Sequence, residues 1–268
     1  MSVCTPKSFD LTGKVALVTG ASYGIGFAIA TAMANCGAKI VFNDIKQELV
    51  DKGLAAYKEA GIEAHGYVCD VTNEDAVNEM VKKITAEVGH INVLVNNAGF
   101  GVFGEFTETD LQQELELLQV NIRALHILTK LFLRDFQKRG SGRILNVASS
   151  AGFLTGPLLS SYYASKNYVV RLSLAIAEEL RHQHSRVTIS LLCPGPVDTK
   201  FNDRAGVRFR VKAMSAEDVA KEAVFGVLTG KLIIIPGMLN QLGIFASHFV
   251  PQQLMSRITY YIQAAKRN

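Results

Sequence analysis

Tryptophan is missing from the 268 residues, and no segment is apolar enough to cross a bilayer. The run Leu232 to Val250 is interrupted by Pro236, Gly237, Asn240, Gln241, Gly243 and His248, short of the ~20 consecutive apolar residues that a span needs. Cysteine is sparse. Cys4, Cys36, Cys69 and Cys193 stand far apart, which excludes a C-x-x-C pair or a zinc-type cluster and fits a reducing compartment. The six histidines are scattered, and His182 with His184 near a helix end reads as solvent-facing, so no metal is expected. Neither sign of charge dominates: 28 Lys+Arg against 24 Asp+Glu leaves +4, too little to indicate a nucleic-acid partner. Met1 to Asp10 has no apolar h-region, which argues against a signal peptide and for a cytoplasmic protein.

What is present is a globular composition, 49% hydrophobic and 19% charged, without a disorder signature. The length is compatible with one large α/β domain over 1–268. Short β-branched runs alternate with segments of helical period, the pattern of a parallel sheet with crossover helices. Strands are expected at Val15 to Thr19, Lys39 to Asn43, Ala64 to Cys69, Ile91 to Asn96, Arg143 to Ala148, Val187 to Cys193 and Lys231 to Ile235. Most are apolar nearly throughout, as strands covered on both faces should be. Helices are expected at Gly24 to Cys36, Gln47 to Ala60, Glu74 to Val88, Leu111 to Arg139, Tyr162 to Arg181 and Ala216 to Leu228. Residues 198–214, polar and basic, read as a lid or a surface loop, and the tail 237–268 falls outside the alternation.

The first strand runs into Gly20-Ala21-Ser22-Tyr23-Gly24-Ile25-Gly26 and then an apolar helix. A glycine turn in that position lets backbone approach a pyrophosphate, and the helix N-terminus supplies free N–H groups with about half a positive charge. Glycine turns also join strands to helices without binding anything. Asp44, 24 residues after Gly20, stands where a carboxylate accepts bonds from a ribose and repels a 2′-phosphate, favouring NAD over NADP; it also fits a helix cap. Asp70, just past the third strand, is placed to bond the adenine amino group or to cap the next helix.

Tyr162 and Lys166 are spaced i, i+4 and share a helix face, and Ser149 lies thirteen residues before Tyr162 at the carboxyl edge of the fifth strand. An unperturbed phenol titrates near ~10, but a neighbouring ammonium and a positive nicotinamide favour the phenolate. Tyr162 would then exchange a proton with a substrate oxygen held by Ser149, and Lys166 would also bond the nicotinamide ribose.

With these residues the chain resembles the short-chain dehydrogenase/reductase family over about residues 10 to 235. The motifs are Thr19-Gly20-Ala21-Ser22-Tyr23-Gly24-Ile25-Gly26, Asn96-Asn97-Ala98-Gly99, Val120-Asn121-Ile122, Ser149, Tyr162-Tyr163-Ala164-Ser165-Lys166 and Pro194-Gly195-Pro196-Val197-Asp198-Thr199. The resemblance implies a Rossmann-type doubly wound, seven-stranded parallel sheet in three α/β/α layers. It implies hydride transfer between nicotinamide C4 and a carbinol or carbonyl carbon, with NAD preferred and NADP possible. Asn121, Ser149, Tyr162 and Lys166 would be catalytic, Asn121 steadying a water that relays protons to Lys166. Gly20, Ser22, Tyr23, Gly24, Ile25, Gly26, Asp44, Asp70, Val71, Asn96, Ala98, Gly99, Tyr162, Lys166, Pro194, Gly195, Val197 and Thr199 would hold the cofactor.

The first hundred residues look particularly like gluconate 5-dehydrogenases, the remainder like a less characterised bacterial branch, so the chain reads as a mosaic. Burying a sugar acid's polar groups without partners costs roughly 1–3 kcal/mol each. The segment Phe100 to Phe106 and the residues Phe153, Leu154, Leu158 and Leu159 therefore favour a small apolar carbonyl or alcohol over gluconate. A catalytically silent dinucleotide sensor is the other alternative. Arg204, Arg208, Arg210 and Lys212 of the lid would meet an anion or face solvent. The tail lacks the family's usual Asp-Gly-Gly ending, which places a tetramer in doubt and leaves a homodimer. It is expected to cover the pocket or pair subunits, with a membrane surface as a further option.

Overall fold

The computed structural model describes residues 9–199 and 213–265. Seven strands form one parallel sheet: β1 (Val15–Thr19), β2 (Lys39–Asp44), β3 (Ala64–Val68), β4 (Ile91–Asn96), β5 (Gly142–Val147), β6 (Val187–Leu192) and β7 (Ile233–Ile234). Their spatial order is β3-β2-β1-β4-β5-β6-β7. β1 therefore lies between β2 and β4, where the winding reverses, and a doubly wound sheet opens a crevice at that point beyond the carboxyl ends of its strands.

The helices are α1 (Gly24–Asn35), α2 (Gln47–Glu59), α3 (Glu74–Glu87), α4 (Leu111–Leu118), α5 (Leu125–Arg139), α6 (Ser160–His182), α7 (Ala216–Leu228), α8 (Met238–Ser247) and α9 (Gln252–Ala264). Successive side chains of a strand face opposite ways, and β1 shows the result. Ala16 and Val18 enter a core with Ile29 and Met33 of α1 and with Val219 and Ala223 of α7. Val15 and Leu17 enter a second core with Val77, Met80 and Ile84 of α3 and with Leu128, Phe132 and Phe136 of α5. Both faces are dry, which is why the strand reads as apolar throughout.

The helix expected from Leu111 to Arg139 is not continuous. A π-turn, Gln119–Ala124, separates α4 from α5. Hydrophobic period alone cannot reveal this break, because the widened turn is held by a long-range contact. The amide of Asn121 accepts from the Phe100 N–H at 3.1 Å and donates to the Phe100 carbonyl at 2.9 Å. Such π-turns recur at functional sites.

Candidate active site

At the carboxyl edge, β1 passes into the glycine turn. Gly20 has φ +61° and Gly24 φ +68°, left-handed conformations that glycine adopts without strain. A Cβ at Gly20 would come to 3.0 Å from the Ala98 Cα, and one at Gly26 to 2.4 Å from the Asn97 Nδ2. The turn is thus packed directly on the segment following β4. Asn97 ties the two together, its amide donating to the carbonyls of Thr19 at 2.9 Å and Gly20 at 3.0 Å. Its spacing next to Asn96 in the Asn-Asn-Ala-Gly run marks it, but which of two adjacent asparagines faces the turn depends on strand parity.

This corner opens a cleft of about 380 Å³. Gly20, Tyr23, Gly24, Ile25, Asp44, Asp70, Val71, Ala98 and Gly99 line one half, and Ser149, Tyr162, Lys166, Pro194, Gly195, Val197 and Thr199 line the other. Ser22, Gly26, Asn96 and Asn121 are not in its wall. Ser22 is buried within the turn, and Gly26 is occluded by Asn97. Asn96 points into the core, donating to Asn146 Oδ1 at 2.8 Å and Thr129 Oγ1 at 3.0 Å. Asn121 is directed at the Phe100 backbone and donates to Ser165 Oγ at 3.1 Å.

Both aspartates at the cleft are released from the capping alternative. Lys46 precedes α2 as its cap residue, and Asp44 Oδ1 accepts from the Ile45 N–H at 2.9 Å. Asn73 caps α3, and Asp70 accepts from the Thr72 amide and hydroxyl at 2.9 and 2.8 Å. Val197, in the cleft wall, forms an isolated parallel bridge with Met214. The greater part of the expected lid, with Arg204, Arg208, Arg210 and Lys212, lies outside the described residues.

Ser149 and Tyr162 meet through a side-chain hydrogen bond. The serine hydroxyl also accepts from the Ala151 N–H at 3.2 Å, which opens a short 3-10 turn and orients the hydroxyl. Lys166 is buried, donates to the Val147 carbonyl at 2.9 Å, and sits 5.8 Å from the centre of the Tyr162 ring. The electrostatics differ from the expected acidified phenol. Burial pushes the Tyr162 phenol up to about 12, against a smaller lowering by the Ser149 bond. Burial pulls the Lys166 ammonium down to about 8. Desolvation penalises whichever form is charged, so the protein by itself holds a protonated phenol and a readily deprotonated amine.

The tail supplies residues that the motifs did not indicate. Ile262 and Gln263 of α9 line the cleft beside Leu159 and Tyr163. The Gln263 amide donates to the Tyr163 hydroxyl, while its Oε1 is buried without a partner. A second bond between Thr155 and Ser256 at 2.6 Å holds α9 over this end. The expected pocket cover is therefore present. Of the expected apolar residues, Phe100 and Leu159 line the cleft, whereas Phe106 is exposed and Phe153 packs beside the third core cluster.

These residues fit a dinucleotide. The α1 N-terminus has no side-chain cap, the glycine turn leaves its backbone approachable, and Ser22 Oγ is buried without a partner beside it. Such an end presents N–H groups and positive potential to a pyrophosphate.

Comparison with known proteins agrees with this geometry. The family described as short chain dehydrogenase matches residues 14–207. The chain is 32% identical over 246 residues to estradiol 17-beta-dehydrogenase 11 of Homo sapiens, covering 87% of this chain and 82% of that protein. It is 34% identical over 200 residues to gluconate 5-dehydrogenase of Gluconobacter oxydans, covering 74% of this chain and 77% of that protein. Among solved structures, a short chain dehydrogenase/reductase from Burkholderia phymatum in complex with NAD superposes with a TM-score of 0.81 at 26% identity, covering 90% of this chain and 94% of that one.

Proposed function

This chain belongs to the short-chain dehydrogenase family and is an oxidoreductase acting on CH–OH with a nicotinamide dinucleotide, and we propose that it works with NAD on an apolar secondary alcohol or the matching ketone. The single observation that carries this reading is the meeting of the Ser149 and Tyr162 hydroxyls above Lys166, in one cleft with the glycine turn. A bound dinucleotide would donate the hydride in its reduced form and accept it in its oxidised form.

The remaining chemistry belongs to the chain. Ser149, fixed by the Ala151 N–H, directs a hydrogen bond at the substrate oxygen. Tyr162, protonated by virtue of its burial, gives its proton to that oxygen in the reductive direction. Lys166 has three N–H donors, of which Val147 takes one, leaving the others for the phenol and the nicotinamide ribose. Asn121 holds the Phe100 backbone that forms the pocket wall. Asp44, turned by the Ile45 N–H, accepts from the adenosine ribose and repels a 2′-phosphate, which supports NAD.

The pocket walls support an apolar substrate. Phe100, Val120, Ala151, Leu159 and Ile262 surround the Ser149 side of the cleft. Among the described lining residues Lys166 is the one cation, so these residues offer a sugar acid's carboxylate no second positive partner. Gln263 and Tyr163 provide a polar point at the far end, suited to a second oxygen on an otherwise apolar molecule. Compartment and assembly follow as part of the same reading: a cytoplasmic homodimer.

A panel of hydrophobic ketones and sugar acids with NADH and NADPH, read by cofactor absorbance, tests this. Turnover of hydrophobic ketones with NADH, lost in Tyr162→Phe, is the expected result. Efficient oxidation of gluconate with little turnover of apolar ketones would overturn the substrate class. Binding of NADH, followed by its own fluorescence in this tryptophan-free chain, without turnover of any carbonyl would favour a sensor.

A further inference from the structure

The tail helices leave an apolar surface that the oxidoreductase reading does not use. On α8 the side chains of Met238, Leu242, Phe245 and Phe249 recur along and just beyond the helix at intervals of three or four, and they are exposed, with Met238 at 77% and Phe249 at 74%. On α9, Leu254, Ile258 and Tyr261 repeat the interval and are exposed as well, Tyr261 at 74%. Monomeric proteins rarely leave so many large apolar groups together in water unless something covers them.

The charge pattern indicates the covering. Every Asp and Glu of the chain lies at or before Glu222; beyond it the charged residues are Lys231, Arg257, Lys266 and Arg267, all positive. Neither α8 nor α9 carries an acid, so the same helices of a second copy would offer Arg257 no partner. An anionic lipid surface complements both features: acyl chains take the Leu, Ile, Met and Phe side chains, and headgroups take Arg257 of α9. Tyr260 and Tyr261 bring amphipathic rings suited to the headgroup level, and exposed Arg257 can extend its stem and keep its charge at the headgroups. Among the described residues no helix is long and apolar enough to cross a membrane, so contact would be along the surface.

We propose that the outer face of α8 and α9 docks this protein on an anionic lipid surface. The position matters for the site, because Ile262 is at once exposed, at 53%, and part of the cleft wall. An apolar substrate dissolved in lipid would pass along α9 into the cleft with little exposure to water. That consequence rests on the proposed substrate class, whereas docking itself does not.

The test is flotation of the full chain with vesicles of phosphatidylcholine alone and of phosphatidylcholine with phosphatidylserine, with no substrate present. The expected result is co-flotation with the phosphatidylserine vesicles, weakened by salt as charges are screened. The double variant Leu242→Glu, Phe245→Glu, neither residue being in the cleft wall, should lower that binding by about tenfold or more, with NADH binding unchanged. Retention in the unbound fraction with both vesicles, or equal binding with and without phosphatidylserine, would overturn the proposal. So would a concentration-dependent dimer in sedimentation that the double variant dissociates, since a second copy would then cover the face. Absence of turnover with retained flotation would affect the enzyme reading alone.

Discussion

At the residue scale the site is governed by competition between desolvation and hydrogen bonding. Tyr162 accepts a favourable contact from Ser149, yet burial still holds its phenol near 12. Removing that one hydroxyl in Tyr162→Phe should lower kcat by roughly 10²–10⁴-fold while NADH affinity stays within about twofold; a loss of affinity equal to the loss in kcat would show that the phenol serves binding. Lys166 gives a prediction of definite sign. Its ammonium falls from the ordinary 10.5 to about 8 in the folded chain, so between those pH values the unfolded chain holds the extra proton. Stability from this group therefore rises with pH across about 8 to 10.5 and is flat below. Denaturant unfolding of the dinucleotide-free chain should show that rise, and Lys166→Met should remove it.

At the element scale the β1–α1 corner is the part least tolerant of change. Gly26 leaves no room: a methyl there meets the Asn97 amide at 2.4 Å, and that amide already joins the ends of β1 and β4. Gly26→Ala should displace Asn97, destabilise the protein by about 1–3 kcal/mol as overpacking does, and weaken NADH binding in a fluorescence titration; unchanged binding would mean that the corner does not form the cradle. Strand and helix positions were legible here because each is written in local terms. β1 and β4 fall where β-branched runs end in Gly or Asn, and α7 begins at a serine cap with two acids in its first turn. The π-turn was not legible, since Asn121 disrupts the helix through its bonds to Phe100, twenty-one residues away. Parity explains the asparagine pair likewise: adjacent positions face opposite sides of the sheet, so Asn97 braces the turn while Asn96 enters the core.

At the scale of the whole molecule, dinucleotide selection and the covering of the cleft both depend on segments far apart in the chain. A ligand that binds the folded form alone stabilises it by about 2.7 kcal/mol at a hundred times its Kd. NADH should therefore raise the melting temperature more than NADPH does, and Asp44→Ala should narrow the difference; a larger rise with NADPH in the parent chain would reverse the cofactor preference. Motif order was sufficient to identify the doubly wound parallel sheet and the grouping of Ser149, Tyr162 and Lys166, because turn chemistry, strand parity and i, i+4 spacing are short-range rules. It could not place α9. Residue 263 meets residue 163 only in the folded chain, across a hundred residues of sequence, and nothing in the local pattern of Gln263 encodes that neighbour. The protonation of Tyr162 and Lys166 was hidden for the same reason: spacing along a helix says which groups are close, whereas their charge depends on how completely the rest of the fold removes water from them.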